Sequence, residues 1–276
     1  MTEAAFQVRF WGVRGSIPVS GPEYIRYGGN SPCIELRCGD KRIVLDGGSG
    51  LRPCGKALMR EGVEEIDVFL THSHYDHVVG LPFFHPLYNP GVRLVLWSGH
   101  MHGRMTTREL MQEFMRPPWF PVEAEYCTAN VHCRDFEPGD ILRPREGIVV
   151  RTGRLTHPGG CVGYRVEANG RSLALISDTE HVPGELDPEV MRLIRGADLV
   201  VYDCTYLETE LARYRGFGHS TWEQGVKLCE AAGAKRLALF HHDPSRTDSQ
   251  MDAIEQAAQA SFEGAFAARD GLILDL

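Results

Sequence analysis

Short apolar runs recur along this 276-residue chain, separated by turn-forming or charged stretches. FQVRFWGV, SPCIELRC, KRIVLD, IDVFLT and VRLVLW in the first half are too short for helices and carry the residue types of strands. So are IVVRTGRLT, VGYRVEA, RSLALIS, DLVVYD and RLALF in the second half. Helical patterns stand where capping signals do. LDPEVMRLIRG offers Asp187 as N-cap, Pro188 in the first turn and Gly196 beyond the end. STWEQGVKLCEAAG carries a capping box of Ser220 and Glu223 and stops at Gly233. DSQMDAIEQAAQAS is a third helix near the C-terminus. Residues 100–145 hold one more, TRELMQEFMR, then the stiff PPWFP and few strand signals, so a lid-like insertion is expected there. No repeat or linker breaks the pattern. It predicts one α/β domain over residues 1–276, with strands layered between helices.

Five of the runs end on groups able to bind a metal: FLT before His72, RLT before His157, LALIS before Asp178, LVVY before Asp203 and LALF before His241. A buried strand delivers its next residue to the end of the sheet, where loops form a ligand crevice. One such ending is a turn former; five, all His or Asp, point to a shared site. The densest stretch, THSHYDHVVG, places His72, His74, Asp76 and His77 within six positions. No two of these histidines stand four apart, as the zinc-binding pair on one helix face of an HExxH motif does, so the stretch is read as a loop leaving the strand. Four ligands are too many for one tetrahedral zinc that keeps an open position. Two metals sharing a carboxylate would use them all, with His157, Asp178 and His241 as completions. His241 is preferred to His242 because it comes first after the apolar run.

The composition narrows the partners. Formal net charge is −8 with pI near 5.8, so no global basic field marks a nucleic-acid binder. MTEAAFQVRFWG has neither a basic nor an apolar leader segment, and no stretch approaches the length of a membrane span. A cytoplasmic protein is expected, with its eight cysteines, none in a CxxC pair, reduced.

THSHYDHVVG resembles the signature of the metallo-β-lactamase superfamily, and the similarity extends over most of the chain. KRIVLDGGSG resembles that superfamily's early Asp-Gly turn, RLTHP its lone later histidine, LISDT its bridging aspartate and ALFHH its last histidine. The resemblance implies an αββα sandwich with its site at one sheet edge. It implies two divalent ions, zinc first, with manganese and iron also compatible. One metal would take His72, His74 and His157, and the other Asp76, His77 and His241. Asp178 would bridge them, and Asp46 would orient the site from behind. A homodimer is also implied.

ADLVVYDCTYLETELARYRGFGHSTWEQ resembles a stretch of transfer-RNA 3′-processing endonucleases and related phosphodiesterases. Asp203 stands where that family has a glutamate, and His219 matches its second-element histidine. Metal-activated water would attack phosphorus with Asp76 at the nucleophile, and His219, held by Asp203, would protonate the leaving alkoxide. VRFWGVRGSIPVSGPEYIRYGGNSPCIEL, GLPFFHPLYNPG and PPWFPV resemble a phosphodiesterase-like bacterial branch linked with cyclic nucleotides. The expected substrate is therefore a cyclic nucleotide or similar small phosphodiester. Trp119 or Phe120 is a candidate to stack a base, and Arg14, Arg26 and Arg116 are candidates to meet phosphate. His100, His102 and His132 are expected on the surface or lid. The alternatives are a 3′-processing RNA endonuclease, a thioesterase or lactonase, a diiron redox protein, and a metal-binding scaffold.

Overall fold

The apolar runs close into two seven-stranded sheets in a computed structural model that describes residues 6–276. The first sheet takes β1 (Phe6–Gly12), β2 (Cys33–Cys38), β3 (Lys41–Leu45), β4 (Glu65–Leu70), β5 (Arg93–Ser98) and β6 (Asn130–Asp135) in chain order. The second takes β7 (Ile141–Leu142), β8 (Ile148–Leu155), β9 (Cys161–Ala168), β10 (Arg171–Ile176), β11 (Leu199–Asp203), β12 (Leu237–Phe240) and β13 (Ala265–Ala267). The last strand, β14 (Ile273–Asp275), returns to the first sheet and pairs antiparallel with β1.

Alternation along the strands sets the layers. Val8, Phe10, Leu36 and Phe69 from one sheet meet Val150, Tyr164, Leu175 and Val201 from the other. At the centre Phe69 stacks on Trp97 at 5.3 Å and receives Tyr164 edge-on at 5.6 Å. α1 (Leu51–Arg60) and α3 (Thr107–Phe114) cover the outer face of the first sheet. α4 (Pro188–Ile194), α6 (Trp222–Ala232) and α7 (Asp248–Ser261) cover that of the second. Single-turn helices α2 (Tyr75–Val78) and α5 (Glu208–Leu211) lie in loops. The architecture is the expected αββα sandwich. No helix among the described residues is long and apolar enough to cross a membrane, and all eight cysteines are free thiols.

Local chemistry sets the boundaries. Asn169 and Gly170 both take positive φ, 52° and 72°, which gives β9–β10 the tight turn that matches strand twist. Asp187 caps α4 by accepting from the N–H groups of Glu189 and Val190. Gly233 ends α6 at φ 64°.

Three details differ from the pattern read in the sequence. The N-cap of α6 is Thr221, not Ser220. Ser220 Oγ is drawn instead into a buried network with His181 Nδ1 at 2.7 Å and Tyr202 Oη at 2.9 Å. Residues 130–135 and 141–142 of the expected insertion pair at the edges of the two sheets, which leaves 99–129 as the crossover between β5 and β6. α1 forms although Pro53 and Gly55 lie inside it. Pro53 falls in the first turn, where its missing N–H is harmless. Gly55 is required because a Cβ there would stand 2.7 Å from the ring of Phe84, a fully buried side chain.

Gly55→Ala therefore tests packing against propensity. Alanine is the better helix former by about 1 kcal/mol, yet the overpacking against Phe84 costs about 1–3 kcal/mol. A net loss of stability is expected in urea unfolding; a stabilised variant would disprove the contact.

Candidate metal centre

One rim of the sandwich collects the strand ends. β3, β4, β8, β10, β11 and β12 hand over to Asp46, Thr71–His72, His157, Asp178, Asp203 and His241 within one or two residues of their last position. Asp46, Asp178 and His241 have φ of 65°, 55° and 59°. Left-handed backbone is uncommon outside glycine and costs about 1–3 kcal/mol at each residue. The turn swings each side chain off the pleat and into the rim. It also separates two adjacent histidines: His241 faces the cluster, while buried His242 donates from Nε2 to the Ala268 carbonyl at 2.7 Å.

Two sets of donor atoms converge. His74 Nδ1 lies 2.9 Å from His72 Nε2 and 3.0 Å from His157 Nε2. Asp76 Oδ2 lies 3.2 Å from His77 Nε2 and 3.2 Å from His241 Nε2, and those two nitrogens are 3.4 Å apart. Asp178 sits between the sets. Its Oδ2 is 3.2 Å from His77 Nε2 and its Oδ1 is 3.3 Å from His241 Nε2. Oδ1 is also 3.8 Å from His72 Nε2 and 3.9 Å from His157 Nε2.

The arrangement fits two cations. With metal–nitrogen bonds of about 2.0–2.1 Å, tetrahedral ligand atoms stand roughly 3.3 Å apart, close to the 2.9–3.4 Å spacings within each set. The tautomers agree. The Thr71 hydroxyl donates its one proton to Asp46, so it accepts from His72 Nδ1 at 3.0 Å. Thr205 likewise donates to Asp203 and accepts from His241 Nδ1 at 3.0 Å. His77 Nδ1 donates to Asp46 Oδ2 at 2.9 Å, and His157 Nδ1 to the Gly218 carbonyl at 2.8 Å. Each of these four rings thus turns its Nε2 inward, as ligands oriented from behind do.

Charge divides the site in the same way. Burial, helped by the charge on His77, holds His72 well below the usual imidazole range, and burial also lowers His74 and His157. These three rings are held neutral, the form that binds a cation. The other half is rich in carboxylate. Burial works against the anions of Asp76 and Asp178, but His77 and His241 outweigh it and both stay far below the usual carboxylate range. Burial opposes a charge on His77 too, yet Asp76, Asp178 and Asp46 raise it well above its ordinary value.

The nine residues expected from the sequence, His72, His74, Asp76, His77, His157, Asp178, Asp203, His219 and His241, all gather here. His219 Nδ1 donates to Asp203 Oδ2 at 2.9 Å. Burial lowers the His219 pKa, but the Asp203 charge and hydrogen bond overcome that and push it up to about 9. The open crevice above has a volume of about 510 Å³ and is lined by Ser16, Ser73, His74, Tyr75, Asp76 and His219, among others.

The arginines do not gather. Arg14 is fully buried and ties the N-terminal loop down, with Nε donating to Gly28 O and Nη1 to Asp243 O and Arg246 O. Arg26 pairs with Asp252 of α7, and Arg116 with Glu113. His100, expected at the surface or lid, is 3% exposed, with Nε2 3.0 Å from Ser73 Oγ.

Spacing alone missed three contributors. Ser16 donates its N–H to Asp76 Oδ2 at 2.7 Å. Tyr75 lines the crevice. Glu180 accepts from the N–H groups of Gly216 and Gly218, which fixes the loop that carries His219. Only the glycines of GFGHS hinted at that loop: a Cβ on Gly218 would fall 2.2 Å from His157 Nδ1.

The profile of the beta-lactamase superfamily domain matches residues 41–242. The chain is 24% identical to a ribonuclease Z of Porphyromonas gingivalis, covering 99% of this chain and 100% of that one. Among solved structures, the metallo-beta-lactamase fold protein YhfI from Bacillus subtilis superposes with a TM-score of 0.75 at 17% identity, covering 99% of this chain and all of that one. A diphosphatase from the PhnP family gives a TM-score of 0.70 at 21% identity, covering 98% of each. The chain thus belongs to the β-lactamase superfamily and is a metallo-β-lactamase-fold hydrolase, in the branch of transfer-RNA-processing endonucleases and related phosphodiesterases.

Proposed function

We propose that this chain is a dinuclear metal-dependent phosphodiesterase that hydrolyses small organic phosphodiesters, cyclic nucleotides among them. The observation that carries the reading is the His219–Asp203 pair, poised beside the convergent ligands at the wall of the crevice. Phosphodiester hydrolysis expels an alkoxide that needs a proton; thioester and lactam hydrolysis need such an acid less.

His72, His74 and His157 would hold one cation and Asp76, His77 and His241 the other, with Asp178 between them. Two divalent ions in such a site polarise the phosphoryl oxygens and lower the pKa of water. Asp76 has Oδ2 fixed by Ser16 N–H and lines the crevice, which would leave Oδ1 to accept a hydrogen bond from an attacking water and aim it. Asp203 holds His219 through Nδ1, which leaves Nε2 to deliver the proton to the leaving oxygen.

An RNA endonuclease is the second reading, favoured by the ribonuclease Z similarity. Against it, no residue lining the crevice is Lys or Arg, and the net charge is −8. A polyanion bound through many phosphates would need both reversed.

Metal-free protein titrated with Zn²⁺ should take up close to two ions per chain, and His241→Ala and His74→Ala about one each. A single ion in the wild type would remove the dinuclear site.

The activity itself is tested with a cyclic-nucleotide panel, bis-p-nitrophenyl phosphate and a pre-tRNA. His219→Ala should cost about 10²–10⁴ in rate where the leaving group is an alkoxide and little where it is p-nitrophenolate. Because the acid must be protonated, alkoxide-leaving turnover should fall as pH rises through about 9. Asp203→Asn should move that fall to lower pH. Silence toward every phosphodiester with the metals in place would overturn the reading; cleavage of pre-tRNA alone would transfer it to the endonuclease.

A further inference from the structure

Beside the crevice lies a second cavity, about 220 Å³, between α2 and the β5–β6 crossover. Its walls are apolar and aromatic: Tyr75, Val78, Met105, Leu110, Phe114 and Trp119. It shares Ser73 and Tyr75 with the crevice, so a ligand with its phosphate at the rim reaches the cavity along one continuous surface. We propose that this cavity is a specificity subsite for a flat, amino-bearing nucleobase on one arm of the substrate. The proposal rests on the phosphodiesterase reading and deepens it.

Two aromatic rings are left bare at the mouth, with Tyr75 77% and Trp119 74% exposed. Exposed rings on the wall of a cavity beside a polar site mark a ligand surface more often than a monomer's ordinary face. Trp119 does not hang from a free loop. Its backbone N–H donates to Arg116 O, and its neighbour Phe120 packs edge-on against Phe83 at 5.7 Å. The two rings supply stacking surface, which every base satisfies.

The amino preference comes from the charged group in the wall. Glu113 lines the cavity. Its Oε2 is held by Arg116, while Oε1 takes no hydrogen bond among the described residues. A carboxylate accepts from an exocyclic amino group and repels a keto oxygen, so adenine or cytosine fits better than hypoxanthine or uracil. No lining residue is basic, which argues against a second phosphate as the occupant.

The test uses the metal-loaded enzyme and phosphodiesters that share a p-nitrophenolate leaving group and differ in the other arm: methyl, 5′-adenosine and 5′-inosine. The adenosine arm should lower KM by about tenfold or more against methyl, as stacking on an aromatic wall does. Trp119→Ala should compress that ratio towards one, and Glu113→Gln should bring adenosine and inosine together. Equal KM values across the arms, or a preference that survives Trp119→Ala, would overturn the subsite. A second readout needs neither turnover nor metal. Adenosine should quench tryptophan fluorescence saturably in the metal-free protein, and Trp119→Phe should abolish the quenching. If no diester is turned over but the quenching holds, the phosphodiesterase reading fails and the base pocket stands; if turnover holds without quenching or arm preference, the pocket fails alone.

Discussion

The imidazoles at the rim are aimed by what lies behind them. Thr71 and Asp46 take the Nδ1 protons of His72 and His77, the Gly218 carbonyl takes that of His157, and Thr205 takes that of His241. With Nδ1 committed outward, each Nε2 points at its neighbours, where a cation can answer several at once. That constraint dictates the fold around it. The acceptors stand at or just beyond the ends of β3, β4, β11 and within the loop before α6, so both sheets must finish at the same level for the rings to meet. The inter-sheet core of Phe69, Tyr164 and Val201 keeps them level. Tyr164 crosses that core to donate its hydroxyl to the Leu70 carbonyl, just ahead of the histidine motif.

The loops bear the remaining strain. The left-handed backbone of Asp46, Asp178 and His241 is tolerable because neighbouring contacts over-determine each one. Asp46 holds Thr71 and His77, Asp178 faces both ligand sets, and His241 is pinned through Thr205 at Nδ1. The N-terminal loop presses on the same place: a Cβ on Gly15 would stand 2.3 Å from His241. Buried Arg14 keeps that loop there through backbone carbonyls rather than through an anion. Burial without a full ion pair pulls its pKa down, although Asp248 and Asp270 work against the shift.

Much of this was legible in the chain. The strands are short apolar runs buried on one or both faces, and such runs announce themselves. The ligand motif is dense enough to announce a shared site, although Asp76 and His77 stand in the single turn of α2 rather than in the loop that spacing suggested. What stayed hidden depends on contacts between distant segments. α1 carries Pro53 and Gly55, so propensity argues against a helix that packing against Phe84 requires. Ser220 satisfies every rule of an N-cap, yet His181, 39 positions away, claims it. Arg14 and His100 look like surface residues by type, and only their backbone and hydroxyl partners, supplied by other loops, explain their burial. Tyr75 lies inside the motif itself, but its neighbours at ligand spacing draw attention away from an aromatic ring that faces solvent.

The proposed chemistry follows from how unlike groups are segregated around one opening. Neutral imidazoles lie on one side of Asp178 and carboxylates on the other, so opposite ends of a bridged phosphate would meet different fields. His219 is charged where a leaving oxygen needs a proton because Asp203 is buried beside it; an exposed aspartate would be screened and would raise its partner far less. The walls beyond the crevice are aromatic and apolar rather than basic. A long polyanion gains most of its affinity from rows of lysine and arginine along its backbone, and this opening offers none. A substrate with one phosphodiester and one flat arm would use each of these surfaces once, and that economy favours a small diester over RNA as the ligand for which the rim and its neighbouring pocket are shaped.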